Sequence, residues 1–376
     1  MAEQKLMKDG IDGVAIQRIS HAMSQLVPSF DTALFEKKAS NGLENLELKQ
    51  RVTHLIDALH ASFNVSFQEL QPQLMPLIDV WDRGEENDAL SGFAAWPVTD
   101  YVAVHGIDAP ELALPLLEQV TELFSAEFAI RPFIINNQDE TLAVMKTWAV
   151  SSNDHVRRLA SEGCRPKLPW GQQLPSLIQD PTPIFPILEQ LVDDESEYVR
   201  RSVANNLNDI SKDHPHLVSE LCQKWMSNAT SNTTKNRTWL VKHALRTLIK
   251  SGYPPAFEVL GYSSTPDMIL EHRIVGNQAI ELGEALDFTV SMTSTSDDDQ
   301  KLIIDYVIHH MKANGKHSEK VFKLKTVTLK AAETLEISKS HLFKNITTRR
   351  YYSGEHLISI LVNGKGSQTL SFNLSV

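Results

Sequence analysis

One phrase recurs three times in the middle of this 376-residue chain and limits what it can fold into. It reads Val156-Arg157-Arg158-Leu159-Ala160, then Val199-Arg200-Arg201-Ser202-Val203, then Val241-Lys242-His243-Ala244-Leu245. The valines lie 43 and 42 residues apart. A period of about 40–47 residues marks HEAT-type helical repeats. Each such unit is a helix pair that cannot bury its apolar face alone, so neighbours must stack. Every unit also carries two adjacent cationic or imidazole groups at the same register, and stacking would align them as a basic stripe. A stripe of that kind suits a polyanion backbone. It suits equally a row of repeat-to-repeat ion pairs with Asp154, Asp194 and Glu197.

Helical patterning extends to the N-terminal side. Ile11, Val14, Ile16, Ile19, Met23 and Leu26 predict a helix over residues 3–26, stopped by Pro28. Asp31 is placed to cap a short helix through Lys38. Further helices are expected over 46–63 and 67–80, with a solvated loop from Asp82 to Asp88. Pro110 then opens a strong helix, in which Leu112, Leu116, Val120, Leu123 and Glu127 follow at helical steps. Glu127 continues an apolar face, where a carboxylate costs free energy unless it is paired or faces a cleft. Arg131 lies four residues on and could pair with it, so an ion pair and a cleft both stand as readings.

The repeat helices are expected near 138–149, 153–163, 183–192, 196–211, 214–227 and 236–250. Arg165-Pro166-Lys167-Leu168-Pro169-Trp170-Gly171 forms a rigid connector with a tryptophan beside two cations. Trp170 is either a loop anchor or a flat apolar surface at a cleft mouth. Over 196–211, Val199, Val203, Leu207 and Ile210 form the core face, and Ser202, Asn205, Asn206 and Asp209 the polar face beside it. That face suits solvent or a concave site. Asp209 stands near a helix C-terminus, where the dipole disfavours it, so another group is expected to hold it.

Beyond about Leu270 the period changes to two, with strands expected over 279–282, 286–292, 302–307, 320–330, 334–337, 356–362 and 369–376. Asn363-Gly364 is a hairpin signal. So many short strands in a hundred residues suggest a β-sandwich. The fold class is therefore mainly α: a HEAT-like solenoid over residues 1–272, then a small all-β immunoglobulin-like sandwich over 277–376.

Net charge is −11, but it is unevenly spread. Residues 1–135 hold 9 Lys and Arg against 20 Asp and Glu, whereas 136–276 hold 15 against 16 and 277–376 hold 12 against 11. The acidity sits in the first third, which leaves room for a basic groove elsewhere, because fields are local at physiological salt. No apolar run of transmembrane length occurs, and the N-terminus lacks the apolar stretch of a signal peptide. Cys164 and Cys222 make neither a disulfide framework nor a thiolate zinc site, so a reducing cytoplasm is expected. No Walker loop, GxGxxG, HExxH or GxSxG is present, and no metal or nucleotide cofactor is expected.

Longer runs carry a resemblance. Ala160-Ser161-Glu162-Gly163-Cys164-Arg165-Pro166-Lys167-Leu168-Pro169-Trp170-Gly171 is similar to a signature of the AlkC family of DNA alkylation repair glycosylases. So are the runs from Val199 to Pro215 and from Leu240 to Lys250, together with Trp96-Pro97 and Glu127-Phe128-Ala129-Ile130-Arg131-Pro132-Phe133. The resemblance covers roughly residues 1–270, and some family members carry an immunoglobulin-like tail. It implies an enzyme that hydrolyses the N-glycosidic bond of cationic alkylated bases, chiefly 3-methyladenine and also 3-methylcytosine, in bent duplex DNA. By position, Glu127 and Asp209 would be the catalytic acids, with Trp170 against the lesion nucleotide. Arg157, Arg158, Arg165, Lys167, Arg200, Arg201, Lys242, Arg246 and Lys250 would contact the DNA backbone. Adjacent helical residues point about 100° apart, so one of each repeat pair is expected on DNA and the other in the scaffold. The sandwich is expected to hold the far side of the duplex, and the chain to act as a monomer. A non-catalytic DNA-binding scaffold and a protein-interaction adaptor are the competing readings.

Overall fold

The computed structural model describes residues 5–85, 87–263, 265–346 and 349–376. Residues 3 and 4 of the first expected helix and Glu86 of the acidic loop lie outside them. The chain separates into two compact units, Met1–Asp213 and His214–Val376.

Among the described residues the first unit is mainly helical, and side chains cap some of its helices. Asp12 accepts from the Ala15 amide at 3.0 Å to begin Gly13–Leu26, and Asp31 accepts from the Leu34 amide at 2.9 Å to begin Thr32–Ser40. Leu48–Ser62 follows, then Phe67–Leu74, which Met75 and Pro76 separate from the short turn Leu77–Val80. Trp96–His105 and Pro110–Val120 complete the N-terminal half. The repeat helices are Gln138–Trp148, Asp154–Glu162, Phe185–Leu191 and Glu197–Ile210. Val156, Leu159, Ala160, Val199, Val203, Ala204 and Leu207 are all buried. Fully burying one such aliphatic side chain is worth about 1.5–3 kcal/mol.

The polar face of Glu197–Ile210 is not a solvent face. Ser202 Oγ meets Ser161 Oγ at 2.6 Å, and Asn206 Nδ2 donates to the Ser161 carbonyl at 2.8 Å. The Ser202 hydroxyl and the Asn206 amide form a hydrogen-bonded seam between two repeat helices, a use that a one-helix pattern cannot distinguish from a cleft.

The second unit joins the helices Pro215–Ser227, Thr234–Ala244, Arg246–Lys250 and Pro254–Val259 to two packed sheets. The strands are β1 (Met268–Val275), β2 (Ala279–Glu281), β3 (Ala285–Ser294), β4 (Gln300–Met311), β5 (His317–Leu329), β6 (Thr334–Leu342), β7 (Gly354–Val362), β8 (Lys365–Gly366) and β9 (Leu370–Ser375). One sheet has the order β1-β3-β6, the other β2-β9-β7-β4-β5, with β8 on β7. Their inner faces enclose Leu286, Phe288, Val290, Ile304, Tyr306, Ile358, Ile360 and Phe372. β1 lies partly in the stretch read as helical; its burial alternates residue by residue against β3.

The expected hairpin turn is present, with Asn363 at φ 46° and Gly364 at φ 81°. It presses on the Gly252 loop. A Cβ on Gly364 would lie 2.7 Å from Gly252 Cα and 2.9 Å from the Phe257 ring. Both glycines are required by this approach and by their positive φ.

Candidate active site

Glu127 is not on a helix. Pro110–Val120 ends seven residues earlier, where Thr121 Oγ1 accepts from the Ala126 amide at 3.1 Å and turns the chain. Glu127 then sits in a turn just before the helix Arg131–Asn136. Its partner is not Arg131. Glu127 Oε2 accepts from Arg158 Nη1 at 2.7 Å and from Ser125 Oγ at 2.8 Å. Among the described residues Oε1 takes no hydrogen bond, and the side chain keeps 16% of its surface exposed.

From Glu127 an alternating chain of charges runs across the repeats. Arg158 Nη2 lies 3.6 Å from Glu162 Oε1, which accepts from Arg165 Nη1 at 2.6 Å. Arg165 Nε donates to Asp209 Oδ2 at 2.8 Å, and Lys212 Nζ donates to Asp209 Oδ1 at 2.9 Å. This answers what holds Asp209 against the helix dipole: two cations do, and only 3% of the residue is exposed. Burial alone would depress the pKa of Arg158 and Arg165. The neighbouring carboxylates outweigh it, Glu162 most, and both pKa values rise. Both guanidiniums therefore stay charged, and the chain fixes the spacing between Glu127 and Asp209, 82 positions apart in sequence. Arg158 also lies over the Tyr198 ring, 4.7 Å from its centroid.

Arg131 does a different job. It is fully buried. Its Nη1 donates to the Gly163 carbonyl at 2.9 Å and its Nε to the Gln172 carbonyl. It thus bolts both ends of the connector that bears Arg165 and Trp170. Burial lowers its pKa to about 10.

Trp170 stands at φ 64° and is 58% exposed. A bulky residue with positive φ is a conformational outlier that costs of order 1–3 kcal/mol and persists only where surroundings enforce it. Arg131 is one enforcer. The other is Lys49, whose Nζ donates to the Trp170 carbonyl at 2.6 Å across 121 residues of sequence. Sequence spacing carries no sign of Lys49. Trp170 is exposed and held in a strained conformation, unlike a loop anchor buried in the core.

The basic stripe does not divide evenly between scaffold and DNA: in the first pair Arg158, expected on the DNA backbone, is held inside the ion-pair chain by Glu127 and Glu162. Arg157 Nη1 donates to the Ser151 and Ser152 carbonyls, and Arg200 Nη1 to those of Asp194 and Glu195. In each case the targets lie six and five residues back. Arg157 also clasps the Asp194 carboxylate at 2.6 and 3.0 Å. Both arginines are buried and tie each repeat helix to the preceding loop, so a phosphate contact does not fit them. Arg165 is likewise buried, inside the charge chain. Arg201 is exposed beside Glu197, and Lys167 pairs with Asp213 at 2.6 Å. In the second unit Lys242 and Lys250 are exposed, and Arg246 Nη1 donates to the His243 carbonyl at 2.5 Å.

Among the described residues no group of three His, Cys, Asp or Glu side chains is placed to hold a metal ion, and no helix is long and apolar enough to cross a membrane. An open cavity of about 890 Å³ lies in the sandwich, lined by His272, Arg273, Glu336 and Gln368 among others. It contains none of the carboxylates above, so cavity size does not locate this site.

Stacked helical repeats with a buried ion-pair chain, ending in an immunoglobulin-like sandwich, define the HEAT-like class of DNA alkylation repair proteins. The family model described as "DNA alkylation repair enzyme" matches residues 124–248, and that described as "Uncharacterised protein YhaZ, C-terminal Ig-like domain" matches 270–376. A Bacillus subtilis relative, "Uncharacterized protein YhaZ", is 36% identical over 360 residues, 96% of each chain. The solved structure of Pseudomonas fluorescens alkylpurine DNA glycosylase AlkC, bound to DNA containing an abasic site analogue, is 36% identical. It superimposes with a TM-score of 0.87 over 99% of this chain and 100% of that one. The chain belongs to the AlkC family of DNA alkylation repair glycosylases.

Proposed function

We propose that this protein hydrolyses the N-glycosidic bond of cationic alkylated bases in duplex DNA, 3-methyladenine chiefly and also 3-methylcytosine. The observation that carries this reading is the pairing of Glu127 and Asp209 at two points of one ion-pair chain, in a unit that also presents Trp170. A methylated base is already positive and leaves as a neutral molecule, taking the bonding electrons with it. Little general acid is needed. What remains is to stabilise an oxocarbenium-like sugar and to deliver a water, whose proton a carboxylate then accepts.

Glu127 Oε1 is the atom open to that water. Asp209 is masked by Lys212, the half-exposed end of the chain. Transfer of the Lys212 ammonium to a phosphate would leave Asp209 with a net charge for the sugar cation. Trp170 would face the lesion nucleotide, adding a cation–π term of roughly 0.5–2 kcal/mol. Arg201, Lys167, Lys242, Arg246 and Lys250 would serve the backbone, which positions the duplex without reading sequence.

The test is release of 3-methyladenine from methylated duplex DNA by the purified protein, beside Glu127→Gln and Asp209→Asn. Each carboxamide is expected to lose about 10²–10³-fold in rate with duplex affinity retained. Salt-sensitive binding without release would leave a non-catalytic scaffold, and no affinity at low salt would leave a protein-interaction adaptor.

A further inference from the structure

A carboxylate outside this set lies one residue behind the Glu127 arm of the site. Asp100, on the helix Trp96–His105, accepts from Trp96 Nε1 at 2.8 Å. The Trp96 ring is buried and stacks on Phe124 at 5.1 Å and on Phe128 at 5.4 Å, with interplanar angles of 14° and 26°. Phe128 directly follows Glu127 in its turn. Towards the other arm, Lys49 holds the Trp170 carbonyl at 2.6 Å and also acts electrostatically on Asp100. Asp100 is thus joined through one residue, Trp96, to the Glu127–Phe128 turn that the glycosylase reading needs in register.

We propose that Asp100 is a positioning residue for base release: through Trp96 it sets the ring on which Phe128 and the Glu127 turn rest. This rests on the glycosylase reading above. The role is sensitive to charge. An ionised carboxylate accepts from an indole N–H more strongly than a neutral acid does, and only the ionised form attracts Lys49.

The surroundings of Asp100 make its charge state variable near neutrality. Burial pushes its carboxyl up to about 7, against the opposing pull of the Trp96 hydrogen bond and the Lys49 charge. On the helices packed against Trp96–His105, Asp57 and His60 act on His105, and two further charged groups have partners of their own. Arg51, on the Lys49 helix, is bonded to the Leu46, Lys8 and Ile11 carbonyls, and Glu118, on Pro110–Val120, accepts from Trp148. Asp100 is therefore neutral and its contacts weakened below that value, and charged with its contacts firm above it.

The experiment is the pH–rate profile for single-turnover release of 3-methyladenine from methylated duplex by the full chain, for the wild type, Asp100→Asn and Trp96→Phe. Asparagine keeps an acceptor for Trp96 but cannot ionise; phenylalanine keeps the ring but removes the donor. The wild-type rate is expected to climb between about pH 6 and 8 as Asp100 ionises. Asp100→Asn should match the wild type at the acid end and fall roughly tenfold behind at the alkaline end. Trp96→Phe should lose the same limb, and the double variant should be no slower than either single one. An Asp100→Asn profile that parallels the wild type, or a uniform slowing at every pH, would overturn the proposal. A wild type that releases no base defeats the glycosylase reading itself, and the positioning role with it; release with an unchanged Asp100→Asn profile defeats this inference alone.

Discussion

Glu162 is the middle link of the ion-pair chain, and its replacement by glutamine isolates what that chain does. Glu162 is 4% exposed and lies between two guanidiniums, Arg165 at 2.6 Å and Arg158 at 3.6 Å. Removing one partner of a buried ion pair costs about 3–5 kcal/mol, because the remaining charge is left uncompensated. Here each arginine keeps a second carboxylate, Arg158 through Glu127 and Arg165 through Asp209. The lower end of that range therefore applies, and Glu162→Gln is expected to destabilise the first unit by about 3 kcal/mol. In urea this should bring the midpoint down by about 1 M or more. Four of the six tryptophans, Trp81, Trp96, Trp148 and Trp170, belong to that unit, so tryptophan fluorescence weights the readout towards it. Base release should fall as well, since Glu127 and Asp209 lose the strut between them. A loss below about 1 kcal/mol, the scale of an exposed pair, would show that the chain is solvated and carries no strain-bearing role.

Trp170→Asn places at φ 64° a residue that tolerates the left-handed region; it should raise stability by about 1 kcal/mol in thermal melts while base release falls, and a drop in stability would refute the strain. In the sandwich, His310 and His341 are buried, and burial lowers their pKa to about 3 and about 4. The unfolded chain takes up those protons first, so stability is complete above an unfolded pKa of about 6.5 and lost as pH falls towards the folded values, by roughly 2 kcal/mol per histidine between about pH 6.5 and 5. Melts over that interval should show a shallower loss in His310→Leu, and an unchanged slope would refute it.

The repeat period found the solenoid because stacking demands identical apolar registers, and those are visible in one sequence. The Asp31 cap and the Asn363-Gly364 turn were legible for the same reason: each is a local rule with a local residue. Charges were harder. Arg157 and Arg200 present the same signature as a phosphate-binding stripe, yet their targets are backbone carbonyls, which no sequence displays. Glu127 fits a helical step but lies beyond the helix end, because a Thr121 hydroxyl turns the chain where no glycine or proline announces it. Arg131, four residues away, was the obvious partner; the actual one, Arg158, comes from another repeat. Lys49 stayed hidden because it acts on a peptide carbonyl 121 residues away, and Asp100 because a carboxylate four residues after a tryptophan reads as an ordinary polar helix position. β1 was missed because half-buried edge strands and short helices share similar apolar runs.

The close approach of Gly252 and Gly364 bears on how such chains can be recombined. The sandwich meets the preceding helical segment backbone to backbone, with no side chain between to absorb a misfit. A swap of residues 268–376 between relatives would therefore place a foreign hairpin tip against a native loop with no slack. A chain cut at residue 267 would uncover Phe257, which is now wholly enclosed. A transplant that begins at about residue 214, carrying the four helices along, keeps both halves of that contact together.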